Sequence, residues 1–161
     1  MIIRKSTEND IKAIEGLYAS AREFMRRSGN PNQWGSTYPP RERIVADISE
    51  GSSYVVVDGD EILAVFYFMI GADPTYERIY EGRWLSDEPY AVIHRVAVGR
   101  QGCGIARTIF DFCFERYPNL RIDTHRDNLP MQGALLRSGF SPCGVIYLES
   151  GEERLAYQKI K

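Results

Sequence analysis

Histidine is nearly absent from this sequence: the 161 residues hold only His94 and His125. Neither has a second His or Cys at ligand spacing, so no zinc or other metal site is expected. Cysteine is scarce too. Cys103, Cys113 and Cys143 are odd in number and lack metal spacing, which fits a reducing compartment better than a disulfide framework. An excess of charge of one sign is missing: 20 Lys and Arg stand against 22 Asp and Glu, a net charge of −2. That balance gives no general drive toward nucleic acid or an anionic membrane. Long apolar runs are missing as well. The longest, Ile62 to Ile70, falls far short of the roughly 20 residues a membrane span needs. The first residues, Met1 to Glu8, show no basic-then-apolar leader pattern. No repeat, low-complexity tract or linker divides the chain. The expectation is one domain over residues 1–161, cytoplasmic, with neither a nucleic-acid nor a membrane partner.

What is present is a regular succession of short elements. Ile2 to Lys5 reads as a strand, and Thr7-Glu8-Asn9-Asp10 as a capping box with Asp in the last place. Ile11, Ile14, Leu17, Tyr18, Ala21, Phe24 and Met25 recur at helical spacing until Gly29-Asn30-Pro31. A second helix sets Ile44, Val45 and Ile48 on one face and ends near Gly51. Tyr54–Val57 and Glu61–Ile70 form a hairpin about Asp58-Gly59. Gly71 to Pro89 is irregular, and Tyr90 to Val98 is a nearly apolar central strand. A helix with Ile105, Ile109, Phe110, Cys113 and Phe114 inside closes at Pro118, before a strand from Leu120 to Thr124. Asn128-Leu129-Pro130 opens a last helix that Gly139 stops. Phe140–Leu148 and Arg154–Ile160 pair about Ser150-Gly151. The order βααβββαβαββ predicts an α/β fold, a mixed sheet with helices on both faces.

The most informative segment runs from Val96 through Gly99, Gln101, Gly102, Cys103, Gly104 and Ile105 to Ala106. A strand ends, a glycine turn follows and a helix begins. A helix start offers free amides and the positive end of the macrodipole, and glycine lets a phosphate approach the backbone. From the glycines alone, a pyrophosphate site and a plain tight connection stand level. A P-loop is excluded, since no Gly-Lys-Ser/Thr occurs. A dinucleotide fingerprint would need a third glycine where Arg107 stands, although Asp123 imitates its ribose-binding acid.

Gln101-Gly102-Cys103-Gly104-Ile105-Ala106, with Asn128 after the fifth strand and Ser138-Gly139-Phe140 before the sixth, resembles the GNAT (Gcn5-related) N-acetyltransferase family. The resemblance covers essentially the whole chain. It implies acetyl transfer from acetyl-CoA to a primary amine by direct attack. It also implies a CoA pyrophosphate on the backbone of Gln101, Gly102, Cys103, Gly104, Ile105 and Ala106. The pantetheine arm would lie beside Val96 and Val98 where the fourth and fifth strands part, with Asn128 holding the arm or positioning the fifth strand. The Val98 amide would meet the thioester oxygen. The family's direct transfer leaves Cys103 incidental as a thiol.

Two departures stand out. The turn from Val98 to Gln101 is shorter than in typical members. Leu135 also stands where many members carry a tyrosine that protonates the leaving thiolate. The second departure keeps open a non-catalytic acyl-CoA-binding protein.

An ammonium acceptor must lose a proton before attack. In strict alternation His94 shares a face with Val92, Val96 and Val98, while Arg95 faces the other way as a paired structural charge. His94 reads either as the base, directly or through a water relay, or as a structurally paired histidine. Trp34, Tyr38, Glu81 and Trp84, in the two irregular segments, would suit a cationic acceptor, and against that stands a plain anchoring role. His125 ends the fifth strand at the mouth of the same parting and reads either as a contact to acceptor or cofactor or as an ordinary strand-end histidine. Tyr147 reads either as a substitute acid or as a core or edge aromatic. The acceptor, a small molecule or a peptide, is not named by the sequence. Many family members are homodimers, and the sequence leaves that open too.

Overall fold

The computed structural model describes residues 1–161. The elements follow the expected order: β1 (Ile2–Lys5), α1 (Ile11–Arg27), α2 (Arg41–Ser49), β2 (Ser53–Asp58), β3 (Glu61–Ile70), β4 (Ala91–Val98), α3 (Ile105–Arg116), β5 (Asn119–Thr124), α4 (Leu129–Arg137), β6 (Ser141–Tyr147) and β7 (Glu153–Ile160). Single helical turns add Glu8–Asp10 before α1 and Pro74–Tyr76 after β3. No helix is long and apolar enough to cross a membrane.

Local chemistry fixes the ends. The Thr7 amide donates to Asp10 Oδ2 at 2.8 Å, which closes the capping box before α1. Asn128 accepts from the Met131 amide at 3.1 Å and caps α4. Gly139, with φ of 89°, ends that helix in the left-handed conformation glycine adopts without strain.

The sheet order is β1-β2-β3-β4-β5-β7-β6. Every neighbouring pair is antiparallel except β4 and β5. That parallel pair is brief: only Ala91 faces Leu120 and Val92 faces Arg121, and beyond them the strands part. On one face α3 and α4 bury Ile105, Ile109, Phe110, Cys113 and Leu135 against Phe66, Ile93 and Leu120. Each such side chain contributes on the order of 1.5–3 kcal/mol. On the other face α1 and α2 cover Val55, Val65 and Ala97 with Ile14, Tyr18 and Ile44. Farther along that same face, the irregular segment after β3 lies as a strap, its Tyr76 buried with Tyr67, Val92, Ile146 and Ala156. The helices and the strap leave an opening between them.

The structure corrects two expectations here. In α2 the inward positions are Ile44, Asp47 and Ile48, while Val45 is exposed. Asp47 tolerates burial because it accepts two bonds from Arg95, at 2.8 and 2.9 Å, and one from Arg43 at 3.1 Å. In β4 strict alternation fails. Tyr67 and Val65 of β3 oppose His94 and Ala97, so β4 carries an extra residue, and Arg95 takes a φ of 51°. Before this bulge Val92 and His94 face the strap. After it Val96 and Val98 pack on the α3–α4 side, so they do not share the face of His94. Arg95 points to the same side as His94 rather than away from it. Its guanidinium lies 4.5 Å over the Tyr67 ring, and its carbonyl accepts from the Tyr18 hydroxyl at 3.1 Å.

Candidate active site

The opening between helices and strap is a cavity of about 780 Å³. Its lining includes Trp34, Tyr38, Tyr67, Asp73, His94, Asp123 and Arg154. It continues into a slot of about 70 Å³ lined by Val96, Val98, Gln101, Ala106, Asn128 and Met131, sharing Met25, Val96, Asn128 and Met131 with the larger space. The slot exists because β4 and β5 part after Val92 and Arg121, so side chains and not a strand ladder fill the gap. Its far end reaches the glycine turn.

In that turn none of the amides from Arg100 to Arg107 donates to a protein acceptor. Gly102 and Gly104 hold φ of 75° and 73°, and a Cβ added at either would meet nothing within 4 Å. The turn is thus an exposed run of unpaired N–H groups at the start of α3, a surface for an anion. Cys103 is exposed there, its thiol 3.7 Å from the Gln101 carbonyl. The Ile105 side chain is buried in the core, so only its backbone faces the turn.

One further amide can be placed. Gly99 N–H donates to Leu63 O at 2.8 Å, toward β3. Amide direction alternates along a strand, so the Val98 N–H points to the opposite edge, where β5 has departed.

His94 and Asp123 each stand two positions past the last pair of their strands, so they flank the start of the parting. His94 Nε2 is 2.7 Å from Asp73 Oδ2, while Nδ1 lies 3.9 Å from Asp123 Oδ2. The second oxygen of Asp73 accepts from the amide and hydroxyl of Thr75 at 2.9 and 2.8 Å. Burial alone would raise the pKa of Asp73; the bonds from His94 and Thr75 outweigh it and hold it down at about 2. An ionised Asp73 only accepts, so the proton shared with it sits on Nε2, and in the neutral ring Nδ1 is then the acceptor. Asp123 Oδ2 accepts from the Tyr76 hydroxyl at 2.6 Å. Burial, followed by the neighbouring Asp123 charge, pushes that hydroxyl well above the usual tyrosine range, so it stays a donor.

The remaining predicted residues divide. Trp34 and Tyr38 line the cavity, with Trp34 set edge-on to Tyr18 at 5.5 Å. Asn128 lines both spaces, but its side chain is committed: it caps α4 and donates to Gln33 Oε1 at 2.9 Å. Glu81 and Trp84 do not reach the cavity. Trp84 donates to the Tyr76 carbonyl at 3.0 Å and stacks on Arg121 at 4.0 Å, clamping the strap to the sheet. Glu81 is exposed in the strap with φ of 55°. His125 lies outside both spaces, its Nδ1 accepting from the Asp127 amide at 3.0 Å. Tyr147 is exposed at the β6 edge against Tyr80, not a substitute acid in the cleft. Leu135 is fully buried. The sequence reading missed Asp73, Tyr76 and Arg154, which only the fold brings to the site.

No family model matches the sequence, and no curated protein matches it. Solved structures do. An acetyltransferase of the GNAT family from Streptococcus agalactiae is 35% identical, with a TM-score of 0.91 over 99% of this chain and 95% of that one. A putative acetyltransferase from Staphylococcus aureus is 22% identical, with a TM-score of 0.73 over the full length of both chains. A putative acetyltransferase from Salmonella typhimurium, solved with its cofactor acetyl-CoA, is 13% identical, with a TM-score of 0.67 over 99% of this chain and 94% of that one. The last two share the fold.

Proposed function

The chain belongs to the GNAT family of acetyltransferases, and on that premise we propose that it transfers the acetyl group of acetyl-CoA to a primary amine held in the large cavity, by direct attack. The observation that carries this reading is the continuity of three features. A run of unpaired amides from Arg100 to Arg107 leads into a slot beside Val96 and Val98, and the slot opens on His94. Gly102 and Gly104 leave the turn open to a pyrophosphate. The slot takes an extended arm between the parted strands.

Acetyl-CoA supplies an activated acyl carbon and a thiol leaving group. The chain supplies the rest. Asp73 orients the His94 ring and fixes its proton on Nε2, the same division of labour as in a catalytic triad. His94 Nδ1 takes the proton of the incoming ammonium, and Asp73 stabilises the imidazolium that results. Asp123 holds the ammonium beside Nδ1, and Tyr76 holds Asp123. The Val98 N–H meets the negative charge that grows on the acyl oxygen. In the net change an N–C bond forms and the C–S bond breaks; the nitrogen sheds its second proton to water as the amide forms, and the thiolate departs without a tyrosine acid, since Leu135 is buried in the core.

The test is a CoA-release assay over a broad panel of primary amines, paired with calorimetry of acetyl-CoA. The expected result is binding and amine-dependent release. Binding with no release on any amine would instead favour a non-catalytic acyl-CoA-binding protein, the reading Leu135 supports.

A further inference from the structure

The charges that line the large cavity are not all matched within the protein. Asp47 answers Arg43 and Arg95, and Arg43 also reaches Glu50 at 3.3 Å. Asp73 answers His94. Two charges are left over. Asp123 has only the neutral Tyr76 hydroxyl within hydrogen-bond distance, with His94 Nδ1 next at 3.9 Å. Arg154 is the second. Its side chain is 6% exposed, yet it bonds two backbone carbonyls, of Gln33 at 3.1 Å and Glu153 at 2.9 Å. Its one carboxylate contact is a single 3.3 Å bond from Nη2 to Glu152, a side chain 56% exposed at the hairpin tip. A buried guanidinium normally takes a bidentate carboxylate, as Arg95 does from Asp47. In Arg154 the Nε hydrogen has no protein acceptor.

The two unmatched charges are neighbours. Asp123 of β5 faces Ala156 of β7, and Arg154 stands two residues along β7. Alternation puts Arg154 and Ala156 on one face, the face of the cavity. Diagonal partners in an antiparallel pair lie about 7–8 Å apart at the backbone, within reach of one small molecule between their side chains.

We propose that the acceptor is a small zwitterion, a primary amine that also carries a carboxylate, in the chemical class of free amino acids. The inference rests on the acetyl-transfer reading above and deepens it. The ammonium lies at Asp123 beside His94 Nδ1. The carboxylate lies on the Arg154 fork and displaces Glu152 toward solvent. A polyamine fits less well, because the buried Arg154 cation would repel a second ammonium, and of the carboxylates lining the cavity Asp123 alone has no arginine or histidine within hydrogen-bond distance.

The experiment measures CoA release by the full chain with matched acceptors: free amino acids, their carboxamides, and the corresponding amines without the carboxylate. The expected result is a kcat/KM at least tenfold higher for the carboxylate-bearing member of the productive set. In Arg154→Gln that ratio is expected to collapse toward one, while the KM for acetyl-CoA stays near that of the unaltered chain. The matched comparison on the unaltered chain stands even if the variant folds poorly. Release with amines but no preference for the carboxylate overturns the zwitterion and leaves acetyl transfer intact. A variant that loses all acceptors in equal proportion overturns it too, since Arg154 would then only hold the Gln33 loop. No release with any amine overturns both readings.

Discussion

His94 Nε2 donates to Asp73 Oδ2 across 2.7 Å, and this bond joins the central strand to the strap that follows β3. It decides which ring nitrogen is free. An amide in place of the Asp73 carboxylate would keep its oxygen on the Thr75 amide and hydroxyl, present its N–H to Nε2 and so drive the proton to Nδ1, the nitrogen proposed to accept one. We expect Asp73→Asn and His94→Ala each to lower kcat by roughly 10²–10⁴-fold, the range for loss of a positioned base. Neither touches the glycine turn, so the KM for acetyl-CoA should change little. Steady-state kinetics with both substrates varied, across pH, is the check. A pH–rate profile in His94→Ala that matches the unaltered protein would falsify the role of His94 as base.

The same bond leaves a signature in acid. The folded pKa of Asp73, about 2, lies below its ordinary value of 3.8. A group depressed on folding adds stability that is complete above its unfolded pKa and disappears as pH falls through the folded one. Thermal unfolding of the chain and of Asp73→Asn should therefore differ near about pH 5 and converge as pH falls toward about 2. A gap that persists at the acid end would mean the strap is held by something other than the ionised carboxylate.

Much of this architecture is legible in the sequence because local signals agree with the fold. The helical stripe of α1, the Asp58-Gly59 turn, the Asn128 cap and the Gly139 stop are settled within a few residues, and the glycine turn carries its own chemistry. The bulge at Arg95 is different. No glycine marks it, and the φ of 51° is imposed by partners distant in the chain: Tyr18 on its carbonyl, Asp47 on its guanidinium and Tyr67 beneath it. Counting alternate residues through such a point turns Val96 and Val98 to the wrong face. The strap hides its contribution for a related reason. Asp73 and Tyr76 sit in a segment without periodicity, and only the packed fold carries them to His94 and Asp123. The more conspicuous Trp84 serves to clamp that segment.

Asp47 offers a separate test of how the bulge is held. It is 3% exposed and bonded by both Arg43 and Arg95. Asp47→Ala would leave the buried Arg95 cation without its carboxylate, and breaking such a pair by removing one partner costs about 3–5 kcal/mol. Urea unfolding should show a loss of that order, with activity falling as β4 relaxes at Arg95. A loss under about 1 kcal/mol would mean that Arg95 finds water or another acceptor, as an exposed pair does.

The glycine turn is tested by adding charge without crowding the fold. Gly104 has φ of 73° and nothing within 4 Å of where a Cβ would sit, so any clash a side chain makes would be with a ligand and not with the protein. Asp tolerates the left-handed region better than most residues, and an acid at the start of α3 complements the helix dipole. Gly104→Asp should therefore fold with a modest loss, about 1 kcal/mol for the backbone conformation. Its carboxylate, however, would stand where the unpaired amides from Arg100 to Arg107 present themselves to a pyrophosphate. Repulsion and lost access worth about 1.4 kcal/mol or more would weaken acetyl-CoA at least tenfold. Calorimetry is the measurement, with Gly104→Ala as a control that carries the strain without the charge. Affinity lost in Asp but largely kept in Ala would assign the effect to the anion. Equal affinity in both variants and the unaltered chain would move the phosphate site away from this turn.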